Sequence, residues 1–154
     1  MPSGIYEVEL DLPIQNIWDF VKDMNAWAPL VPGYIDHEII NEKQSTWKFK
    51  GDIGIMKKKV HLQIDIKEWI EPTTVTFDLT GLNENFSGNG YFKAEAITTS
   101  KTKMIGCLDI TASGAMAPMV NVILKTFVPK TALELTAAIA EKINEIHGIE
   151  IPTK

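Results

Sequence analysis

At 154 residues the chain has the length of one domain and enough material to bury a real core. Hydrophobic residues make up 45% and charged residues 23%, the mix of a soluble globular protein rather than a disordered one. Fifteen basic against twenty acidic side chains give a net charge of −5, which argues against a nucleic-acid platform with a basic face for phosphates.

The first residues lack a charged region followed by an apolar one, so no secretory signal is expected. A single cysteine, Cys107, rules out an internal disulfide and suits a reducing cytoplasm. Residues 5–11 alternate well enough for a first strand. Pro13 then opens a helix that places Ile14, Ile17, Trp18 and Val21 on one face. Asn25 to Gly33 reads as a short second helix or turn, ended by Pro32-Gly33.

From about 34 to 115 the period switches to two. Trp47, Phe49 and Ile53 alternate with Lys48, Lys50 and Asp52, and Val60, Leu62, Ile64 and Ile66 with His61, Gln63, Asp65 and Lys67. Val75, Phe77 and Leu79 follow, then Phe92, Ala94 and Ala96, then Met104, Gly106, Leu108, Ile110 and Ala112. Such patterning predicts an antiparallel sheet with one covered and one wet face. Lys57-Lys58-Lys59 reads as a solvated turn between two alternating segments, and Gly51, Gly54, Gly88 and Gly90 as bulges or bends of a curved sheet.

The last third is helical. Residues 116–128 are apolar almost all the way round, with Met116, Met119, Val120, Ile123 and Phe127 on one face and Val122, Leu124 and Val128 elsewhere. Thirteen residues reach roughly 20 Å, too short for a hydrocarbon core of about 30 Å. Beyond Pro129 the stripe becomes Leu135, Ile139, Ile143 and Ile146, rotated by about 120° on an ideal wheel. Pro129 also lacks the donor that a continuous helix would use. The prediction is a break or kink at 126–130, a short hinged flap before it, and a main helix over 130–147 stopped at Gly148. A curved sheet gripping that helix, an α+β arrangement of two layers, packs all these elements.

The catalytic inventory is thin. His37, His61 and His147 are scattered and none stands at ligand spacing, so no metal and no cofactor is expected. Cys107 is out of phase with its inward neighbours and has no base beside it, which makes it an inert thiol. Asp52, Asp65, Asp78 and Asp109 fall on outward strand positions, where a general acid has no dry site. Gly88-Asn89-Gly90 precedes a strand rather than a helix, so it is no phosphate loop. The apolar inventory is rich, and it supplies a candidate cavity: Trp18, Trp27, Leu30, Phe49, Phe77, Phe86, Phe92, Leu108, Met116, Met119, Val120, Ile123 and Phe127. Val122, Leu124 and Val128 are the candidate membrane or partner contact.

This order of elements resembles the START-like helix-grip (SRPBCC, polyketide cyclase) superfamily and, within it, the CoxG family of carbon monoxide dehydrogenase accessory proteins. Pro13 with Ile17-Trp18 resembles that family's opening helix, and Leu30-Val31-Pro32-Gly33 its Ile-Pro-Gly turn. Phe49 to Gly54, running into Lys57-Lys58-Lys59-Val60, resembles its Ile-Gly…Lys hairpin. The resemblance covers most of residues 4–147, and Pro129 has no place in its pattern. It implies one domain over 1–147 with a tail at 148–154, and a sheet of seven strands around the last helix enclosing a hydrophobic cavity. It also implies a lipid-, fatty-acid- or quinone-like ligand and, for CoxG relatives, association with dehydrogenase subunits and the inner face of the membrane from the cytoplasm.

Three readings follow. The first is a non-catalytic binding or carrier protein for an apolar small molecule. Burying eight methylenes yields about 6 kcal/mol before ordering costs, so no dedicated polar site is needed. The second is a cyclase or hydratase using the same cavity, for which Asn85, Ser87 and Asn89 are the nearest polar candidates. The third is an accessory subunit docking through 116–128.

Overall fold

The alternating stretches become strands in the computed structural model of the chain, which describes residues 3–53, 56–82 and 85–148, those at 51–53 and 56–58 by backbone alone. The order is β1 (Ser3–Leu10), α1 (Ile14–Val21), α2 (Met24–Trp27), a 3-10 turn (Ala28–Leu30), β2 (Tyr34–Ile39), β3 (Gln44–Ile53), β4 (Met56–Ile70), β5 (Thr74–Gly81), β6 (Phe86–Thr98), β7 (Lys101–Ala112) and α3 (Ala117–Ile146). All seven strands form one antiparallel sheet ordered β1-β7-β6-β5-β4-β3-β2. The first strand thus returns to lie beside the last, and α3 packs on that pair. The curved sheet wraps this helix, the expected α+β helix-grip architecture.

At the start, Ile17, Trp18, Phe20 and Val21 of α1 are buried. Trp18 meets Trp69 edge-on, with ring centroids 6.1 Å apart at 88°. Trp69 reaches the inner face because the register slips between Ile66 and Glu68, which flips every later side chain of β4 to the other side. Gly33 turns the chain into β2 with φ +79°, and a Cβ there would collide with the Lys50 carbonyl oxygen.

Two expectations for the sheet are corrected. Lys57-Lys58-Lys59 is not a turn but the start of β4, paired with Lys50 to Asp52. Gly51, Gly88 and Gly90 sit in regular register rather than in bulges. The observed slips lie at Tyr34/Asp36, Ile66/Glu68 and Ala96/Thr98. Gly54, and tail residues 149–154, fall outside the described residues.

The largest correction concerns the last helix. It runs unbroken from Ala117 to Ile146 with Pro129 inside it. Proline removes one donor and crowds the carbonyl four residues back. Lys125 and Pro129 both lie on the exposed side, where water can serve the Lys125 carbonyl that loses its partner. The buried stripe is Leu124, Val128, Ala132, Thr136, Ile139, Ala140 and Ile143, continuous through the proline. Leu124 and Val128, expected outside, are therefore core, at 2% and 0% exposure. Met116 and Met119, expected inside, are 57% and 52% exposed. Val122 does face outward, at 64% exposure.

The first half of α3 is also tied down. The Asn121 side chain accepts from the Ala112 amide (2.8 Å) and donates to the Ala112 carbonyl (3.3 Å), prolonging the end of β7. A hinged flap is inconsistent with these bonds and with buried Leu124 and Val128. After Ile146 the chain leaves the helix through Gly148 at φ +71°, the expected stop.

Candidate functional site

Alternation carries the inward residues of β3 to β7 under α3, but the helix seats most closely on β1 and β7. The middle strands bend away from it, and a cavity of about 160 Å³ is left between them. Its roof is Phe127, Thr131, Ala132, Leu135, Thr136 and Ile139, a helical face that overlaps the edge of the buried stripe. Its floor comes from β3 to β7, and Trp27, Val31 and Pro32 close one side. A smaller space of about 30 Å³ lies toward the start of the helix, sharing the Phe49 and Phe127 walls.

Of the candidate cavity residues, Trp27, Phe49, Phe77, Phe92, Leu108 and Phe127 come together around the main cavity. Trp18 is buried elsewhere, on the inner face of α1 against Trp69, and Leu30 packs on the same core cluster. Phe86 lines the smaller space. Val120 packs with Ala112, Leu124 and Val128 at the helix start. Ile123 is half-buried and lines neither space, while Met116 and Met119 face solvent. The reading of the sequence missed the small helical lining, Thr131, Ala132 and Thr136, and the floor residues Leu62 and Leu79 among others. Strand alternation was the signal for Leu62 and Leu79; for the helix there was none, because alanine and threonine do not register as an apolar stripe.

Two tryptophans shape the closed side. Trp27 and Trp47 stack at 5.3 Å and 41°. The Trp27 indole N–H donates to the Val21 carbonyl (3.0 Å), and that of Trp47 to the buried Ser45 hydroxyl (2.7 Å). Behind Trp47 lies a bracket that the sequence did not suggest. His37 contacts the Tyr34 hydroxyl through Nδ1 (2.6 Å) and Asn25 Oδ1 through Nε2 (2.7 Å), and its ring lies 5.6 Å from that of Trp47. It ties α2 to β2 and does not line the cavity.

No carboxylate, imidazole, ammonium or guanidinium group occurs among the lining residues. Ser87 and Asn89 point outward and are exposed, and Asn85 sits at the β6 entrance, where its carbonyl accepts from the Ser113 amide (2.9 Å). Lys67 pairs with Asp78 on the wet face at 3.5 Å. Cys107 pairs across the sheet with Tyr91, whose side chain bonds its sulfur. Burial first, and the charge of Asp109 second, push the Cys107 thiol up, away from the reactive thiolate. Among the described residues no group of three or more metal-ligating side chains converges. No helix there is long and apolar enough to cross a membrane.

Comparisons with known proteins agree with this architecture. A family model matches residues 1–146. No curated protein matches the chain by sequence. A conserved protein from Geobacillus kaustophilus has the same fold, with a TM-score of 0.79 at 16% identity over 93% of this chain and 95% of that one. The Zhui aromatase/cyclase from Streptomyces sp. R1128 matches with a TM-score of 0.72 at 12% identity over 93% of each chain. A START superfamily protein from Mycobacterium smegmatis matches with a TM-score of 0.70 at 15% identity, over 94% of this chain and 98% of that one. At such identities the likeness establishes the fold, and that fold hosts catalysts and non-catalysts alike.

Proposed function

We propose that the chain, which belongs to the START-like superfamily of helix-grip proteins, is a non-catalytic carrier for an apolar small molecule held between sheet and helix. One observation carries this reading: the cavity walls offer aromatic and aliphatic surface and no carboxylate, imidazole or amine, and the two weak acids among them, Tyr91 and Cys107, are held protonated and bonded to each other. A cyclase or hydratase must move protons, and groups able to do so have to stand within hydrogen-bond reach of the substrate. The volume also speaks to the ligand. A dry cavity of about 150 Å³ accommodates a benzene-sized molecule, so this one takes a ring or a short alkyl segment, such as the head of a quinone. A longer lipid would need the helix to lift.

Native mass spectrometry of the protein as purified, followed by solvent extraction, is expected to show one apolar molecule per chain. A bare mass, together with no response of tryptophan fluorescence to small hydrocarbons, would overturn the reading.

Within the superfamily we place the chain, as a single domain over 1–147, with the CoxG-like accessory proteins. The support is the Leu30-Val31-Pro32-Gly33 turn and the hairpin opening at Phe49. Its working position is then the cytoplasmic side of a membrane, beside a dehydrogenase. The exposed Met116, Met119 and Val122 form the contact, in place of the Leu124 and Val128 first expected there. Charge supports an anionic lipid surface: from Ile110 to Leu133 there is no acidic residue, only Lys125 and Lys130. Sedimentation with vesicles of phosphatidylglycerol in phosphatidylcholine is expected to retain the wild type. The double variant Met119→Asp, Val122→Asp should bind about tenfold more weakly. Equal sedimentation of the two would dismiss this surface.

A further inference from the structure

Polar groups in the cavity wall are few, and nearly all have partners. Both indole N–H groups are bonded, and Tyr91 and Cys107 bond each other on the far side of the sheet. Thr131 satisfies its hydroxyl in the usual helical way, donating to the Phe127 carbonyl four residues back (2.8 Å). Thr136 does not. It is 5% exposed, lines the cavity, and turns its Oγ1 toward Gly106 of β7, with no hydrogen bond to that hydroxyl among the described residues. Gly106 lies on the wall beside it and offers only Cα where a side chain would block the approach.

Buried hydroxyls are normally satisfied, and one left alone in an apolar wall costs stability. A valine of the same shape would fill this position without that cost, so the hydroxyl has to be accounted for. The geometry points to Thr136 as the polar handle of the site: the ligand is a ring-sized apolar molecule carrying one hydroxyl or carbonyl oxygen, and that oxygen meets Thr136 Oγ1. This rests on the carrier reading and narrows it. A plain hydrocarbon leaves the hydroxyl unpaired, whereas an alcohol or ketone completes it.

Cyclohexanol and methylcyclohexane test this, being alike in shape and differing by a hydroxyl against a methyl group. Each is titrated into wild type, Thr136→Val and Thr136→Ser, following tryptophan fluorescence. Thr136→Val is expected to weaken cyclohexanol by about 5- to 30-fold and to leave methylcyclohexane unchanged. Thr136→Ser should stay within about threefold of wild type for both. The ligand-free Thr136→Val protein is expected to melt about 2–4 °C higher, because it no longer holds an unpaired hydroxyl in an apolar cavity wall. Should Thr136→Val not fold, Thr136→Ala is read in the same way. If the valine variant binds both probes as the wild type does, the handle is refuted while the carrier reading stands. If neither probe binds the wild type, the handle is refuted, and the carrier reading falls with it when the purified protein also shows a bare mass.

Discussion

Replacing Leu124 by Asp is expected to abolish the folded state, while Val122→Asp two residues away leaves it intact. Leu124 is 2% exposed and packs with Ala112, Val128, Phe86 and Val120 at the junction of α3 and the sheet. Truncating such a leucine costs about 2–5 kcal/mol. An unpaired buried carboxylate adds several more, so the total approaches the roughly 5–15 kcal/mol that holds a domain together. Val122 is 64% exposed, and a charge there should change stability by no more than about 0.5 kcal/mol. Urea denaturation followed by circular dichroism reads both. If Leu124→Asp unfolds at the wild-type midpoint, α3 does not present this face to the core. The pair also decides which surface is free to meet a membrane, since a readily tolerated Leu124→Asp would return that position to the outside.

That helix face is the part of the molecule the sequence conceals, and the reason is physical. Period two in β3 to β7 is unambiguous because one face is wet, so Trp47, Phe49, Phe77 and Phe92 declare themselves inward. The face of α1 is equally plain from Ile17, Trp18 and Val21, and the structure buries Phe20 beside them. Residues 116–128 of α3 are apolar on every side, so periodicity has nothing to resolve there. Farther along, the stripe that touches the sheet is built of Ala132, Thr136 and Ala140, chosen for closeness rather than for hydrophobic weight. Counting large apolar residues instead picked Leu135 and Ile146, of which Ile146 is 57% exposed, and so produced a false rotation at Pro129. Trp69 escaped for a different reason. The two polar residues Lys67 and Glu68 break the alternation, and only a bulge restores the tryptophan to the inner face. The cavity is legible as a set of inward aromatic residues, but its helical roof and its one unpaired hydroxyl, that of Thr136, are not.

Closeness itself is testable through two glycines that seat the helix. A Cβ built on Gly4 of β1 would stand 2.5 Å from the Pro129 Cα and 3.1 Å from the Val128 carbonyl oxygen. One built on Gly106 of β7 would collide with Thr136 Oγ1. Overpacking of this kind costs roughly 1–3 kcal/mol or more, so Gly4→Ala and Gly106→Ala should both lower the urea midpoint clearly. The two obstacles differ, however. At Gly106 the neighbour is a side-chain atom, so Thr136→Ala added to Gly106→Ala is expected to recover about 1–2 kcal/mol. At Gly4 the neighbour is helix backbone, and no truncation on α3 removes it; Thr136→Ala should leave the loss from Gly4→Ala unchanged. Additive behaviour in the Gly106 pair would mean that the helix does not approach β7 at Thr136. The rescued double variant also separates packing from binding. With stability regained and the hydroxyl gone, it should still take methylcyclohexane but have lost its preference for cyclohexanol, because the close approach that seats the helix also sets Thr136 against the ligand.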